Sequence, residues 1–329
     1  ACSMPATMPQ GASHPVGKVV LMDLGPLTFA EFLRACGMEH LADWLAAWDS
    51  LAPLPAPLFN PLAEQLRFFL VTGGMPEPVR LWAETGDPEA VVEARARVLR
   101  ILRGDFALRP GPALPARHAA VWDSLPRQLM TGRGRFSWRT VREGARAEEY
   151  DASLLWLKAA GLVRRIFRNP ARELPLAAYD DFAAFRVYPA DAGLFDHMAG
   201  IAPAAVMQGT VPAAAWAALA ETFVLQALSP QLMAAPRFWS PAGSRCRGCL
   251  VVQWENTILP VAVDAGFGDA GTGDAGRTLA AFRKCHPRAR LGLRLAMDNL
   301  SLAKDVLTIP LFMADQTDRL IGLALERPG

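Results

Sequence analysis

The sequence predicts a mixed α/β protein in three parts, each with its own order of helices and strands. The first part has one apolar strand followed by amphipathic helices, the second has three helices followed by two strands, and the third alternates strands with helices. Apolar residues make up 52% of the 329 residues, which excludes a mostly disordered chain and is enough for well-filled cores.

The first part, residues 1–110, is predicted to be one strand and a helical bundle. An apolar strand at residues 18–24 ends at Gly25-Pro26, and Thr28 then caps a helix that stops at Gly37. The remaining periodic segments predict a second helix, a proline-rich linker and three more helices, at residues 39–48, 51–61, 62–71, 77–84 and 88–103.

The second part, residues 111–197, is predicted to be a winged helix-turn-helix. Helices are expected at residues 116–130 and 138–144, followed by a longer one from residue 148. Two strands follow, at residues 162–168 and 185–188. A module with this order places its third helix in a DNA major groove and its basic hairpin, the wing, on the phosphate backbone.

A basic block coincides with this second part. Residues 95–172 contain 17 Arg and Lys against 6 Asp and Glu, a net charge of +11, whereas the other residues carry 17 against 26, a net charge of −9. Since a concentrated basic block is the electrostatic footprint of a polyanion partner, DNA is one expected ligand. The alternative is a solvated arginine-rich surface that only aids solubility.

The third part, residues 198–329, is predicted to be an α/β layer. A helix is expected at residues 213–228, and a Gly-rich loop leads to another at 278–285. Apolar runs predict strands at residues 238–239, 249–255, 258–264, 291–296 and 308–312.

Cysteine use and hydropathy predict a cytoplasmic protein without a membrane partner. Five scattered cysteines do not form a disulfide framework, which indicates a reducing compartment. The first ten residues have neither the basic nor the apolar region of a signal peptide. The longest uncharged stretch, residues 198–220, contains Pro and Gly and is mainly Ala, so we expect no membrane span.

Two glycine motifs resemble nucleotide sites but do not satisfy their requirements. Gly17-Lys18 would need Gly and Ser or Thr at positions that hold Ala12 and Val19, so no phosphate loop is predicted. Residues 266–276 contain G-x-G-x-x-G twice, but the loop is long and its Asp side chains would repel a pyrophosphate. We therefore expect no bound cofactor.

Four residues form a candidate zinc set. Cys246 and Cys249 have C-x-x-C spacing, and Cys285-His286 lies downstream. The spacing is not that of a zinc ribbon, and the second half is C-H rather than C-x-x-C. Ordinary reduced thiols are the favoured interpretation, so we expect no metal.

Several segments together resemble one family, the prokaryotic AAA-type ATPases that carry a C-terminal domain of unknown function. The resemblance is collinear over nearly the whole chain. It rests on residues 14–33, 68–79, 144–165, 178–195, 238–240 and 258–263. In that family an ATPase core is followed by a winged helix and a restriction-endonuclease-like fold, so the resemblance implies both folds here.

The departures from the family imply that neither enzymatic site is intact. Residues 18–24 resemble the last strand of the ATPase core, so the phosphate loop would lie before residue 1. The family's nuclease-like fold often has a Glu on a helix, an Asp in a second motif and the motif E-V-K on the next strand. In this chain Glu221 fits the helix Glu and Arg247 lies in the second motif. Ala262 stands at the acid of E-V-K and Asp264 at its lysine. Metal-dependent phosphodiester cleavage needs clustered carboxylates, so a degenerate nuclease site is implied.

These observations predict a non-catalytic DNA-binding or scaffold protein. The residues expected to contact phosphates are Arg133, Arg135, Arg139, Arg142, Lys158, Arg164, Arg165 and Arg168. One alternative is a protein-interaction module that docks on an ATPase domain or on a second copy. A second alternative is that this chain forms one part of an ATP-binding protein whose nucleotide site lies outside the chain.

Overall fold

The computed structural model describes residues 24–107, 114–131, 134–241, 248–264 and 272–326, with side chains from residue 275 in the last range. Of the predicted first strand, only Leu24 lies among them. Most of the Gly-rich loop at residues 266–276 also lies outside the described residues. The described chain is mixed α/β, with thirteen α-helices and one eight-stranded sheet. None of its helices has the length and apolarity that a membrane span requires.

The first part is a helical bundle, as the periodicity predicts. A capping box between Thr28 and Glu31 starts the first helix, because each side chain accepts from the other residue's backbone N–H. The third helix begins at Ala56, inside the predicted linker, since Pro57 occupies a first-turn position where no N–H is required. The helices are α1 (Phe29–Ala35), α2 (Glu39–Ala47), α3 (Ala56–Thr72), α4 (Pro76–Thr85) and α5 (Pro88–Ala107).

Three helices and an antiparallel hairpin form the second part. The elements are α6 (Leu114–Met130), α7 (Trp138–Val141), α8 (Ala147–Ala159), β1 (Val163–Arg168) and β2 (Asp181–Pro189). Helix α7 ends three residues before the predicted limit, because Arg142 already has an extended backbone. Between α6 and α7, the Phe136 N–H donates to the Phe185 carbonyl at 2.6 Å, and the two rings stack 5.4 Å apart. Residue 136 therefore lies along the outer edge of β2.

The third part supplies six strands and five helices. In chain order they are α9 (Ala192–Met198), α10 (Pro203–Gln208), α11 (Ala213–Leu228), β3 (Arg237–Trp239), β4 (Cys249–Trp254), β5 (Thr257–Val263), α12 (Thr272–Cys285), β6 (Gly292–Ala296), β7 (Ser301–Ala303), β8 (Val306–Pro310) and α13 (Thr317–Leu325). The sequence-based prediction does not include α9, α10, β7 and α13, because these elements are short or lack a strong hydrophobic periodicity.

A single sheet crosses the predicted boundary at residues 197–198. Its strand order is β2-β1-β3-β4-β5-β6-β8-β7, so the hairpin of the second part extends the sheet of the third. Strands β1 and β3 are parallel and pair through Arg168 and Phe238. The Asn169 N–H also donates to the Phe238 carbonyl at 2.8 Å. The hairpin is therefore continuous with the α/β layer.

The two faces of the sheet carry different helices. On one face, Leu250, Val252 and Val261 pack in the largest core with α11 and with helices of the first part. On the other face, Val251 and Ala262 pack with Phe282 of α12. Alternate residues of a strand point to opposite faces, so this division follows from the strand period of two.

A buried carboxylate joins the first part to the end of the second. Asp191 accepts from the backbone N–H groups of Gly74, at 2.6 Å, and Leu194, at 2.8 Å, and so also caps α9. Close backbone approach completes this junction, because a Cβ on Gly193 would lie 2.6 Å from the Gly73 Cα. Gln226 of α11 accepts from the Ala192 N–H and donates to the Leu27 carbonyl.

A second buried contact ties α5 to α9. The Arg95 guanidinium pairs with Asp196, and both side chains are at most 1% exposed. The same guanidinium donates to the Gly193 carbonyl at 3.2 Å. Removing either partner would leave an uncompensated buried charge, which is strongly destabilising.

We expect Gly193→Ala to lower the free energy of unfolding by at least about 2 kcal/mol, because the new methyl group meets backbone atoms that cannot move aside. Gly104→Ala is the matched control. Gly104 lies inside α5, and a methyl group added there would meet nothing within 4 Å, so alanine should be neutral or stabilising. Urea denaturation measures both values. Equal stability of the two variants would contradict the close approach at Gly193.

Asp315 gives an expected pH dependence of stability. Its Oδ2 accepts from the Ala30 N–H at the start of α1, but burial raises the pKa of Asp315 to about 6. A carboxyl group whose pKa is higher in the folded than in the unfolded protein stabilises the fold at pH values below its unfolded pKa. This contribution is lost as pH rises through the folded pKa of about 6. From this group alone we expect a loss of about 2–3 kcal/mol between pH 4 and pH 7.

Asp315→Asn should remove that part of the pH dependence, since an amide keeps an acceptor but does not titrate. Asp43→Asn, at an exposed carboxylate of α2, controls for the loss of one negative charge. The measurement is the free energy of unfolding of each protein between pH 4 and pH 8. An unchanged slope in Asp315→Asn would contradict the assignment.

Candidate nucleic-acid interface

Three of the predicted phosphate contacts surround the short helix α7. Arg135 precedes it, Arg139 lies within it and Arg142 follows it, and all three side chains are exposed. The Arg142 guanidinium bonds Glu149 at 3.0 Å, whereas Arg135 and Arg139 form no ion pair with any residue that the structure describes. Arg133, a further predicted contact, lies outside the described residues.

Two more exposed arginines belong to the same region and are absent from the predicted set. Arg127 lies near the end of α6, and Arg146 is the N-cap residue of α8. Both belong to the sequence block of net charge +11, which was the available signal. We define the α7 arginine surface as Arg127, Arg135, Arg139, Arg142 and Arg146.

Helix α8 has a different character. Its first turn is acidic, with Glu148 exposed, and Asp151 is half-buried one turn later. Leu155 is 49% exposed, and the predicted contact Lys158 is exposed in the last turn. The outer face of α8 therefore changes from acidic through apolar to basic along its length. Its acidic end would repel phosphates.

Internal contacts occupy two of the predicted wing residues. Arg164 donates to the Ala190 carbonyl at 2.5 Å, and burial lowers its pKa to about 10. Arg165 pairs with Asp151 at 3.3 Å, and its guanidinium lies 3.8 Å from the Phe185 ring centroid. Because both groups stabilise the hairpin, reversing their charge would disturb the fold itself.

Arg168 is the more accessible member of the predicted wing set. Its guanidinium pairs with Asp181 across the hairpin, at 3.0 Å from Nε and 2.6 Å from Nη2. The side chain is about half exposed, so a phosphate can approach it from solvent.

The predicted degenerate nuclease residues do not form one cluster. Glu221 lies on α11 and accepts from the Tyr188 hydroxyl at 2.6 Å, with Arg186 3.9 Å away. Ala262 faces α12 on the other side of the sheet. Asp264, just after β5, accepts from Arg294 at 2.7 Å. Arg247 lies outside the described residues.

The candidate zinc residues lie in different environments. Cys249 is buried in β4, and burial raises its pKa to about 12. Cys285 is exposed at the end of α12, and the half-buried His286 packs 4.3 Å from the Phe282 ring centroid. Across the described ranges, no three His, Cys, Asp or Glu residues are placed to hold a metal ion. Cys246 lies outside those ranges.

A large groove lies at the hairpin end of the sheet, and the sequence reading did not identify it. Its volume is about 1770 Å³. The β1–β2 loop, the β4–β5 turn and the loop after α12 form its walls, and Arg172, Arg288 and Arg290 line it. The sequence signal was the Arg-Ala-Arg triplet directly after a helix. We call this cavity the hairpin groove.

Comparison with known proteins gives one family similarity. A search of curated proteins returned no match, and neither did a search of solved structures. One family model, described as Domain of unknown function (DUF8612), matches residues 63–205. That region runs from within α3 to within α10 and includes the Asp191 junction and the α7 arginine surface. Over this central region, less than half of its length, the chain is similar to Domain of unknown function (DUF8612).

Proposed function

We propose that this chain binds duplex DNA through a winged helix built from α6, α7, α8 and the β1–β2 hairpin, without itself catalysing a reaction. The observation that carries the proposal is the α7 arginine surface. Arg139 lies within one short helix, Arg135, Arg142 and Arg146 lie close to it in the chain, and Arg127 lies on α6, which packs against it. All five side chains are exposed, and only Arg142 has an ion pair among the described residues. Clustered arginines of this kind bind phosphates.

The arrangement of the elements supports the winged-helix interpretation. The core of this unit contains Trp122 of α6, Leu154 of α8 and Val187 of β2, so the three helices pack directly on the hairpin. The Phe136–Phe185 hydrogen bond gives the hairpin a short third extended segment before α7. The order of three helices followed by a hairpin agrees with the predicted element order, and the extended segment at residue 136 is an addition to it.

Charge distribution indicates how the duplex would lie. The acidic first turn of α8 disfavours insertion of that end into a groove lined by phosphates, whereas α7 and its flanks attract them. Lys158 and Arg168 are additional exposed cations. The expected contacts are with the backbone, so binding should depend steeply on salt and weakly on base sequence.

The remaining parts act as a scaffold in this proposal. Two segments that carry the resemblance to AAA-type ATPases, residues 68–79 and 178–195, meet at Asp191 through Gly74 and Gly193. In this proposal the third part is a nuclease-like fold. Asp264 is paired with Arg294 and Glu221 with Tyr188, so neither carboxylate is poised to bind a metal.

A protein-docking function is the second candidate, and one observation favours it. Leu155 is 49% exposed on the outer face of α8, one turn after Asp151, so this face offers a protein partner an apolar contact beside an acidic one. The partner in this case is an ATPase domain or a second copy of the chain.

The first test is Arg135→Ser combined with Arg139→Ser. We expect the Kd for a labelled duplex to rise roughly tenfold, because two phosphate contacts are lost, and the slope of log K against log salt to fall by about 2. Fluorescence anisotropy between about 50 and 200 mM salt measures both quantities.

Arg80→Ser is the matched control, since Arg80 is an exposed arginine on α4. It should leave duplex affinity within about twofold. No duplex binding by the wild-type protein at low salt would exclude the DNA proposal and favour docking.

The second test is a gain of affinity. Glu148→Lys replaces an exposed acid beside the α7 arginine surface with a cation, so duplex affinity at low salt should rise several-fold. Glu39→Lys makes the same charge change in the first turn of α2 and should have little effect. Equal gains from both substitutions would indicate a nonspecific effect of net charge and contradict the proposed orientation.

A further inference from the structure

We propose that the hairpin groove is a second nucleic-acid site, which binds a single strand, and that it is separate from the α7 arginine surface. The groove opens beside the β1–β2 loop, the part of the hairpin farthest from α8. It is formed jointly by the second and third parts of the chain, because β1 and β3 pair at that position.

The size of the groove fits a polymer segment. Its volume of about 1770 Å³ exceeds the roughly 300–1,000 Å³ of pockets that enclose small molecules. The side toward solvent is open, so a chain longer than the groove can enter and leave without threading.

The charge on its walls attracts an anion. Arg172 lies on the β1–β2 loop, and Arg288 and Arg290 lie on the loop after α12. All three side chains are exposed and have no ion pair with the residues that the structure describes. Cations from two different loops therefore line the groove, and clustered cations of this kind attract a phosphodiester backbone.

Most carboxylates of the groove are already engaged. Asp181 pairs with Arg168, Asp180 pairs with Arg237 at 3.0 Å, and Glu173 accepts from the Tyr179 hydroxyl at 2.9 Å. Glu173 keeps its negative charge, because a tyrosine hydroxyl does not neutralise a carboxylate, and Glu255 is an exposed carboxylate at the β4–β5 turn. Among the described residues, the groups of the two loops without an ion pair are Arg172, Arg288 and Arg290 against Glu173, so the unpaired charge on those loops is mainly positive.

Aromatic side chains in the groove favour a nucleic acid over an acidic peptide as its ligand. Tyr179 is 38% exposed, Trp254 is half-buried, and His286 packs against Phe282 at the end of α12. All four line the groove, but Phe282 is fully buried, so the rings that a base can reach are those of Tyr179, Trp254 and His286. Bases stack on such rings with little sequence preference, whereas a Glu-rich peptide gains nothing from them.

The arginine-bearing wall from the hairpin is preorganised. The Asn169 side chain donates to the Leu176 carbonyl at 2.7 Å and to Asp180 at 2.8 Å, and it accepts from the Ala171 N–H. These bonds fix both ends of the loop that carries Arg172 and Tyr179. A wall that is ordered before binding loses less entropy when a ligand arrives.

The test compares three probes with three proteins. The probes are labelled oligo(dT) and oligo(U) of about 12 nucleotides, within the usual site size of a stacking groove, and a labelled duplex. The proteins are the wild type, Arg288→Ser combined with Arg290→Ser, and Arg135→Ser combined with Arg139→Ser. Anisotropy gives each Kd, and thermal unfolding verifies that each variant is folded.

We expect the Arg288/Arg290 variant to lose about tenfold in affinity for a single strand and to keep duplex affinity within about twofold. The Arg135/Arg139 variant should show the reverse. Binding of either oligo(dT) or oligo(U) supports the proposal, and their ratio reports whether the sugar matters.

Three results would overturn it. One is the absence of single-strand binding by the wild-type protein at low salt, whatever the duplex result. Another is equal loss of both ligands in the Arg288/Arg290 variant, which would indicate one shared surface. The third is competition by poly-glutamate as effective as that by unlabelled oligo(dT), which would indicate an acidic polypeptide ligand.

Tyr179→Leu separates stacking from charge, since it should weaken oligo(dT) binding several-fold without changing the salt slope.

Discussion

The Asp191 carboxylate holds together segments that are far apart in the chain. It accepts hydrogen bonds from Gly74 and Leu194 while being almost completely buried, and burial raises its pKa despite those bonds and the nearby Arg95 and Arg164. Glycine is required around it, because backbones approach too closely for a side chain at residues 73, 74 and 193. The helical bundle, the start of α9 and helix α11 are positioned relative to one another through this contact.

Continuity of the sheet links this junction to the α7 arginine surface and the hairpin groove, the two proposed nucleic-acid sites. Strand β2 leads directly into α9 through the segment that carries Asp191, and β1 pairs with β3 of the α/β layer. Arg164 of β1 donates to the carbonyl just before Asp191. The α7 arginine surface and the hairpin groove therefore belong to one packed framework and have fixed relative positions.

Local chemistry made much of the fold predictable, while long-range pairing did not. Thr28 and Gly37 mark the ends of α1 correctly, and the predicted strands at residues 249–255 and 258–264 correspond to β4 and β5. The linker prediction at residues 51–61 was wrong in part, because Pro57 is tolerated in a first turn. At the candidate site, Arg135, Arg139 and Arg142 are exposed, and their contact with phosphates stays a prediction. The internal bonds of Arg164 and Arg165 depend on Ala190 and Asp151, which no local pattern reveals.

The junction between β1 and β3 has a mechanical consequence. Its backbone pairing consists of one registered residue pair and one adjacent hydrogen bond, from Asn169 to Phe238, and the Asp180–Arg237 ion pair adds a side-chain contact, whereas β4 and β5 are paired along five positions. Tension applied to the hairpin by a bound polymer would act mainly on this short junction, and the β1–β3 pairing would break before the rest of the sheet. The force would then be carried by buried contacts of the helices, namely the Arg95–Asp196 ion pair and the hydrogen bond from the Gly74 N–H to Asp191. Those buried contacts thus determine how much pull the hairpin withstands before it separates from the body of the protein.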